Sequence, residues 1–143
     1  MKRFVFNLQK LLQLREFEEK NAKTALAAAV GEAERIKLDL RGLAAERVRV
    51  NKTCSGTIDI HALMAVENYV HRLDVHTEEL CENLNTAETL IEQRRAAFFS
   101  AMQKRSVLDK LKEKKVRLWR KENAMAEERA VEDAVYGAEK SAP

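Results

Sequence analysis

Proline is almost absent from this chain, since its one proline is residue 143, the last position. There are only four glycines, and aromatic residues make up 6% of the sequence. Because so few residues interrupt a helix, long helices are favoured. The four glycines are scattered over the sequence, at positions 31, 42, 56 and 137. They cannot form a glycine-rich phosphate loop, which excludes the familiar nucleotide-binding motifs.

Long apolar runs are also missing. No segment approaches the roughly 20 consecutive apolar residues that a membrane-spanning helix needs. Polar residues at positions 7, 9 and 10 interrupt the apolar stretch that follows the basic N-terminus, so we expect no signal peptide. These features predict a soluble, intracellular protein that does not insert into a membrane.

Two heptad patterns dominate the sequence. The first runs from Leu8 to Val50 and the second from Leu63 to Leu108, with apolar residues at most of the seam positions. A 3.5-residue repeat means that each helix buries a narrow stripe against a partner helix. Both patterns end at similar distances from a breaker at residues 51–57, so the partner is expected to be the other half of the chain. We predict an all-α fold, a long antiparallel two-helix coiled-coil hairpin with an extended C-terminal helix.

The predicted hairpin is a single domain over residues 1–143. Its parts are a first helix over about 4–51, a turn over about 52–58, a second helix over about 59–136 and a frayed tail over 137–143. We expect Thr57 or Asp59 to cap the second helix. Since the cysteines, Cys54 and Cys81, would lie about 35 Å apart on such a hairpin, they are predicted to be reduced thiols.

The turn also predicts which residues lie at the same level. In an antiparallel pair with a turn near residue 57, residue numbers at one level sum to about 114, which places Leu8 near Leu108. Residues from about 110 to 136 are then expected to extend past the N-terminus as an unpaired helix. Leu111, Leu118, Trp119 and Met125 would be exposed on it.

Charge is segregated although the net charge is only +3. Residues 104–121 contain nine basic and two acidic residues, whereas 59–93 contain eight acidic residues and one arginine. The basic segment is compatible with a solvated helix face, with a polyanion such as nucleic acid or anionic membrane, or with an acidic protein surface. Interleaved aromatics are missing and an acidic tail follows, so no nucleic acid is expected. The neighbouring apolar residues favour a protein partner.

Residues for metal or acid–base chemistry are not grouped. His71 and His76 are five positions apart, which does not suit a metal pair on a helix, and Cys54 with His61 would give only two ligands. Paired carboxylates such as Glu78 and Glu79 belong to a helix surface without a cavity. We therefore expect no metal, no cofactor and no enzymatic activity.

Two stretches resemble a known family. The first is Phe4-Val5-Phe6-Asn7-Leu8-Gln9-Lys10-Leu11-Leu12-Gln13-Leu14-Arg15-Glu16, followed by Glu19 and Ala22, which resembles the opening of the flagellar export protein FliJ. The second resembles the C-terminal segment of that family and comprises Arg105, Leu108, Leu111, Lys112, Lys114, Trp119, Glu122, Glu127, Glu132, Asp133 and Ala134. The tail departs from the family pattern, since Glu132-Asp133 stands where Asp-Glu is expected.

The resemblance implies a cytoplasmic protein associated peripherally with the cytoplasmic membrane at the flagellar base. It implies a coiled coil similar to the rotor stalk of rotary ATPases, which binds the hexameric export ATPase and promotes its assembly. It also implies contacts with the export-gate membrane protein and with flagellar export chaperones. Two alternatives stay open, namely a structural coiled-coil scaffold and the equivalent stalk protein of a virulence type III secretion system.

Residue assignments follow from placing the basic end of the hairpin in the ATPase ring. The residues predicted to contact the ATPase are Lys112, Lys115, Arg117, Trp119, Arg120, Phe4 and Lys10. The residues predicted to contact the export gate or chaperones are Tyr69, Leu73 and His76, on one face of the acidic half.

Overall fold

Two long helices make up nearly all of the described structure. The computed structural model describes residues 2–54, 56 and 58–142. Helix α1 covers Gln9–Thr53 and helix α2 covers Ile60–Ser141, and no strand occurs among these residues. The helices pack against each other in antiparallel fashion, which confirms the predicted all-α helical hairpin.

The first turns of both helices are closed by the residue before them. The Leu8 carbonyl accepts a hydrogen bond from the Leu12 N–H at 2.9 Å, and the Asp59 carbonyl accepts one from the Leu63 N–H at 3.0 Å. These bonds place Leu8 and Asp59 at the N-cap positions. Thr57, the other cap candidate, lies outside the described residues.

The helix ends differ from those expected from the sequence. α1 begins at Gln9 instead of near residue 4, because the preceding segment turns at Phe6, whose carbonyl accepts a hydrogen bond from the Gln9 N–H at 3.1 Å. α2 continues through Gly137 to Ser141 instead of fraying after residue 136. One glycine costs a helix only about 1 kcal/mol relative to alanine, and Lys140 in the last turn is favourable at the C-terminal end.

The chain divides into two compact units, each containing a stretch of both helices. The unit over Lys20–Phe99 has its core at Ala33, Ile36 and Ala87. Ala33 is only 2% exposed, since the small side chains allow the two backbones to approach closely. Leu40, Leu80, Leu84 and Ile91 pack around this core.

The other unit comprises Met1–Glu19 and Ser100–Pro143. Its core is formed by Phe6, Leu12 and Leu108, with Phe4 and Leu111 packed against them. Arg105 pairs with both Glu19 and Asp109, so one guanidinium links the two helices beside this core.

The pairing of levels differs from the predicted one. Leu12, not Leu8, lies at Leu108, and the numbers of this pair sum to 120 instead of about 114. In the other unit Ala33 and Ala87 also sum to 120. Seam positions of the two helices meet when the sum is 113, within one residue of the prediction, and again one heptad further at 120, so the same seam positions meet in either case. The heptad pattern therefore predicted the contacting faces correctly and the register wrongly by about two helical turns.

Candidate protein-interaction surface

The N-terminal segment lies along α2. The Phe4 ring meets Trp119 edge-on, with 6.0 Å between the ring centroids. The Trp119 indole N–H donates a hydrogen bond to the Lys2 carbonyl at 3.2 Å. Trp119 and Leu111 are consequently half-buried, and the prediction that both are exposed on an unpaired helix is wrong.

A shallow groove of about 630 Å³ runs between this segment and α2. Its walls are mainly apolar and include Val5, Phe6 and Leu118, and Lys115 and Glu122 also line it. Leu118 is 46% exposed, so the apolar strip expected on this part of α2 persists only in part.

A row of basic residues lies on α2. We call it the basic stripe, and it consists of Lys110, Lys114, Arg117 and Lys121. Their spacing of four, three and four residues places them on one side of the helix. All are exposed, and within the part of the chain that the structure describes none forms an ion pair. The stripe is therefore an accessible cationic surface.

The residues predicted to contact the ATPase fall into two groups. Lys115, Arg117, Arg120 and Lys10 are exposed. Lys112, Phe4 and Trp119 are half-buried and have contacts within the chain. Lys112 donates a hydrogen bond to the Gln9 side chain at 2.8 Å, and Phe4 packs on Trp119.

Three residues of the stripe, Lys110, Lys114 and Lys121, are not among the contact residues predicted from the sequence. Their regular spacing was visible there. What the sequence did not give was the side of α2 that the N-terminal segment covers.

The residues predicted to contact the gate or chaperones lie in the unit over Lys20–Phe99. The Tyr69 hydroxyl donates a hydrogen bond to a Glu46 carboxylate oxygen at 2.8 Å, which joins the two helices. Leu73 is buried in the helix pair, while His76 is exposed. Tyr69 and His76 are seven residues apart and therefore lie on the same side of α2.

Comparison with known proteins identifies the family of the chain. A family model described as Flagellar FliJ protein matches residues 4–135 of the 143-residue chain. The chain belongs to the flagellar FliJ family. No curated protein and no solved structure matches it. The resemblance seen in the sequence is thus confirmed, and it identifies a protein associated with flagellar export.

Over residues 2–54, 56 and 58–142, no group of three or more histidine, cysteine or acidic side chains is placed to hold a metal ion. Neither α1 nor α2, as far as they are described, is long and apolar enough to cross a membrane. Cys54 and Cys81 are both free thiols.

The Tyr69–Glu46 contact shifts the pKa of both groups. Hydrogen bonds from Arg49 and then from Tyr69 lower the pKa of Glu46 to about 2. The hydrogen bond to Glu46, burial and the nearby negative charge raise the pKa of Tyr69 above 10.0. The Glu46 contribution to stability is therefore present above pH 4.5 and lost as the pH falls towards 2. The Tyr69 contribution is present below pH 10.0 and lost as the pH rises through the folded-state pKa.

We expect this coupling to be measurable in the Tyr136→Phe variant, in which Tyr69 is the only tyrosine left. Tyrosinate absorbance should give a pKa for Tyr69 above 10.0, and adding Glu46→Gln should lower it towards the ordinary value. Glu79→Gln is the control, since this exposed acid lies in the same unit. An unchanged titration in the Glu46→Gln variant would contradict the cross-helix contact.

Proposed function

We propose that this FliJ-family protein is a non-enzymatic coiled-coil stalk that binds the hexameric ATPase of the flagellar type III export apparatus. In this role it promotes assembly and activity of the hexamer. The observation that carries the proposal is the exposed basic stripe on α2, in a chain that belongs to a flagellar export family. Family membership also favours the flagellar apparatus over a virulence secretion system.

The stripe is suited to an acidic protein surface. It extends over 12 residues of helix, or about 17 Å, which is enough to contact several acidic side chains at once. Its four cations have no intramolecular partner in the described chain, so binding breaks no existing ion pair. Because exposed charges are screened by salt, binding through the stripe is salt-sensitive.

The N-terminal segment and α2 supply the neighbouring part of the proposed ATPase contact. Phe4, Trp119 and Lys112 support this surface through their contacts with one another and with α1, while Lys10, Lys115 and Arg120 extend its positive charge. The backbone hydrogen bonds of the long helices are formed within the chain, so the surface needs no folding step on binding.

The acidic half of α2 is the proposed contact for the export gate and the export chaperones. Exposed His76 and half-buried Tyr69 lie on one side of the helix. Leu73 lies between them in the sequence and is buried in the contact with α1, so this side of α2 borders the helix pair. Attachment to the gate would hold this protein peripherally at the cytoplasmic membrane. It needs no membrane-spanning segment of its own.

The test is the rate of the cognate export ATPase, titrated with this protein at two salt concentrations. Wild-type protein should stimulate the ATPase more strongly at low salt. The triple variant Lys114→Glu, Arg117→Glu, Lys121→Glu should need at least about tenfold more protein for half-maximal stimulation, since each reversal replaces attraction by repulsion. The matched control is Lys20→Glu, Lys23→Glu, Arg41→Glu, which makes the same change of net charge at exposed positions of the other unit.

Two results would contradict the proposal at different points. If the well-folded wild-type protein neither stimulates nor binds an active ATPase, the stalk function is wrong. If the stripe variant and the control lose stimulation equally, net charge and not the basic stripe accounts for binding.

A further inference from the structure

In the described structure, the C-terminal part of α2 has no buried residue. Beyond Asn123 every described residue of α2 is exposed, up to its end at Ser141. Apolar side chains stand out in this uncovered part: Met125 is 45% exposed, Val131 63% and Val135 54%. A helix with such a surface gains from a partner.

Acidic residues continue the face of the basic stripe. Glu128, Glu132 and Glu139, which we call the acidic stripe, are all exposed. At about 100° per residue, Lys110, Lys121, Glu128 and Glu139 fall within about 20° of one another around the helix axis. One face of α2 is therefore basic in its first part and acidic in its second, with Met125 near the boundary.

A face of this kind is complementary to a copy of itself in the opposite direction. We propose that a second copy of this chain covers it, in antiparallel pairing about a two-fold axis near Ala124 and Met125. Residue numbers that face each other then sum to 249, which brings Lys110 to Glu139, Arg117 to Glu132 and Lys121 to Glu128. The two-fold axis repeats each of these pairs in the other half of the interface.

Apolar residues match in the same alignment. Near the axis Met125 of one copy lies beside Met125 of the other on one flank of the contact, and Ala124 lies beside Ala124 on the opposite flank. A parallel arrangement would instead place each basic residue beside the same basic residue of the second copy, which is repulsive. The charge order along the helix thus selects both the occupant and its direction.

The dimer has a consequence for the stalk, which rests on the proposed function. The basic stripe is shared by the two interactions, so a chain within the dimer cannot offer it to the ATPase. Dimerisation is in that case a competing state, favoured at high concentrations of this protein away from the export apparatus.

The test is analytical ultracentrifugation of the full chain without the ATPase. Wild-type protein should dimerise at low salt and dissociate as salt is added. The variants Lys110→Glu, Arg117→Glu, Lys121→Glu and Glu128→Lys, Glu132→Lys, Glu139→Lys should each raise the dissociation constant at least about tenfold. Mixing these two variants should restore association as a heterodimer, because one face is then acidic except at Lys114 and the other wholly basic.

The control Lys20→Glu, Lys23→Glu, Arg41→Glu should dimerise like the wild type, and circular dichroism should show equal helicity for all variants. A wild type that stays monomeric at low salt would overturn the proposal and leave the face to a different protein. Dimers that persist in both charge-reversed variants, or a mixture that does not associate, would overturn it as well. None of these results depends on stimulation of the ATPase.

Discussion

Replacing Leu12 by alanine should lower the free energy of unfolding by about 3 kcal/mol. Leu12 is 2% exposed and is the largest fully buried side chain of the described chain. It packs with Phe6 and Leu108, so its removal leaves a cavity between the N-terminal segment and the two helices. A two-helix structure has few such residues, and the loss is a large part of the usual total stability of 5–15 kcal/mol.

Urea unfolding followed by circular dichroism measures the effect of Leu12→Ala. The matched control is Leu14→Ala, since Leu14 lies on the same helix and is 49% exposed. Its replacement should change the free energy of unfolding by less than about 1 kcal/mol. Equal losses in the two variants would mean that the core around Leu12 is not formed as described.

The heptad pattern predicted the buried faces well. Leu12, Ala33, Ile36 and Val50 of the first seam are buried, as are Leu73, Ala87 and Leu108 of the second. A heptad repeat determines which face of a helix is buried, because residues outside the seam positions point away from the partner helix. It cannot fix the register, since a slip of one heptad returns equivalent residues to contact.

The N-terminal segment shows a different limit of the sequence. The first helix is predicted from the sequence to begin near residue 4, which would place both Phe4 and Phe6 within it. In the structure these residues lie before α1, and Phe6 is 9% exposed in the core with Leu108. Tertiary packing of two aromatic side chains against α2 outweighs the local helix preference, and such long-range contacts are not encoded in local spacing.

The candidate site illustrates both limits together. The sequence identified the basic segment, and the structure separates its residues by their contacts. Arg105 is paired with Glu19, Lys112 is bonded to Gln9, and Lys114 is exposed without an ion pair in the described chain. These differences depend on the register and on the path of the N-terminal segment, so they could not be predicted from residue types alone.

Ala33→Asp should lower the free energy of unfolding of the unit over Lys20–Phe99 by about 3–5 kcal/mol at neutral pH. Ala33 is 2% exposed and packs with Ile36 and Ala87, where an aspartate would place a charge without a partner. Burial raises the pKa of such a carboxyl, so the penalty should shrink as the pH falls and the group is protonated.

Ala28→Asp is the matched control, because Ala28 lies in the same helix and is exposed. Urea unfolding of the two variants at neutral and acidic pH measures the difference between them. Because α1 and α2 approach closely at Ala33, only Ala33→Asp should lower the free energy of unfolding by several kcal/mol. Part of that free energy should be recovered at acidic pH. If both variants unfold at the same urea concentration, Ala33 does not face Ala87, and the register with a residue sum of 120 is wrong for this unit.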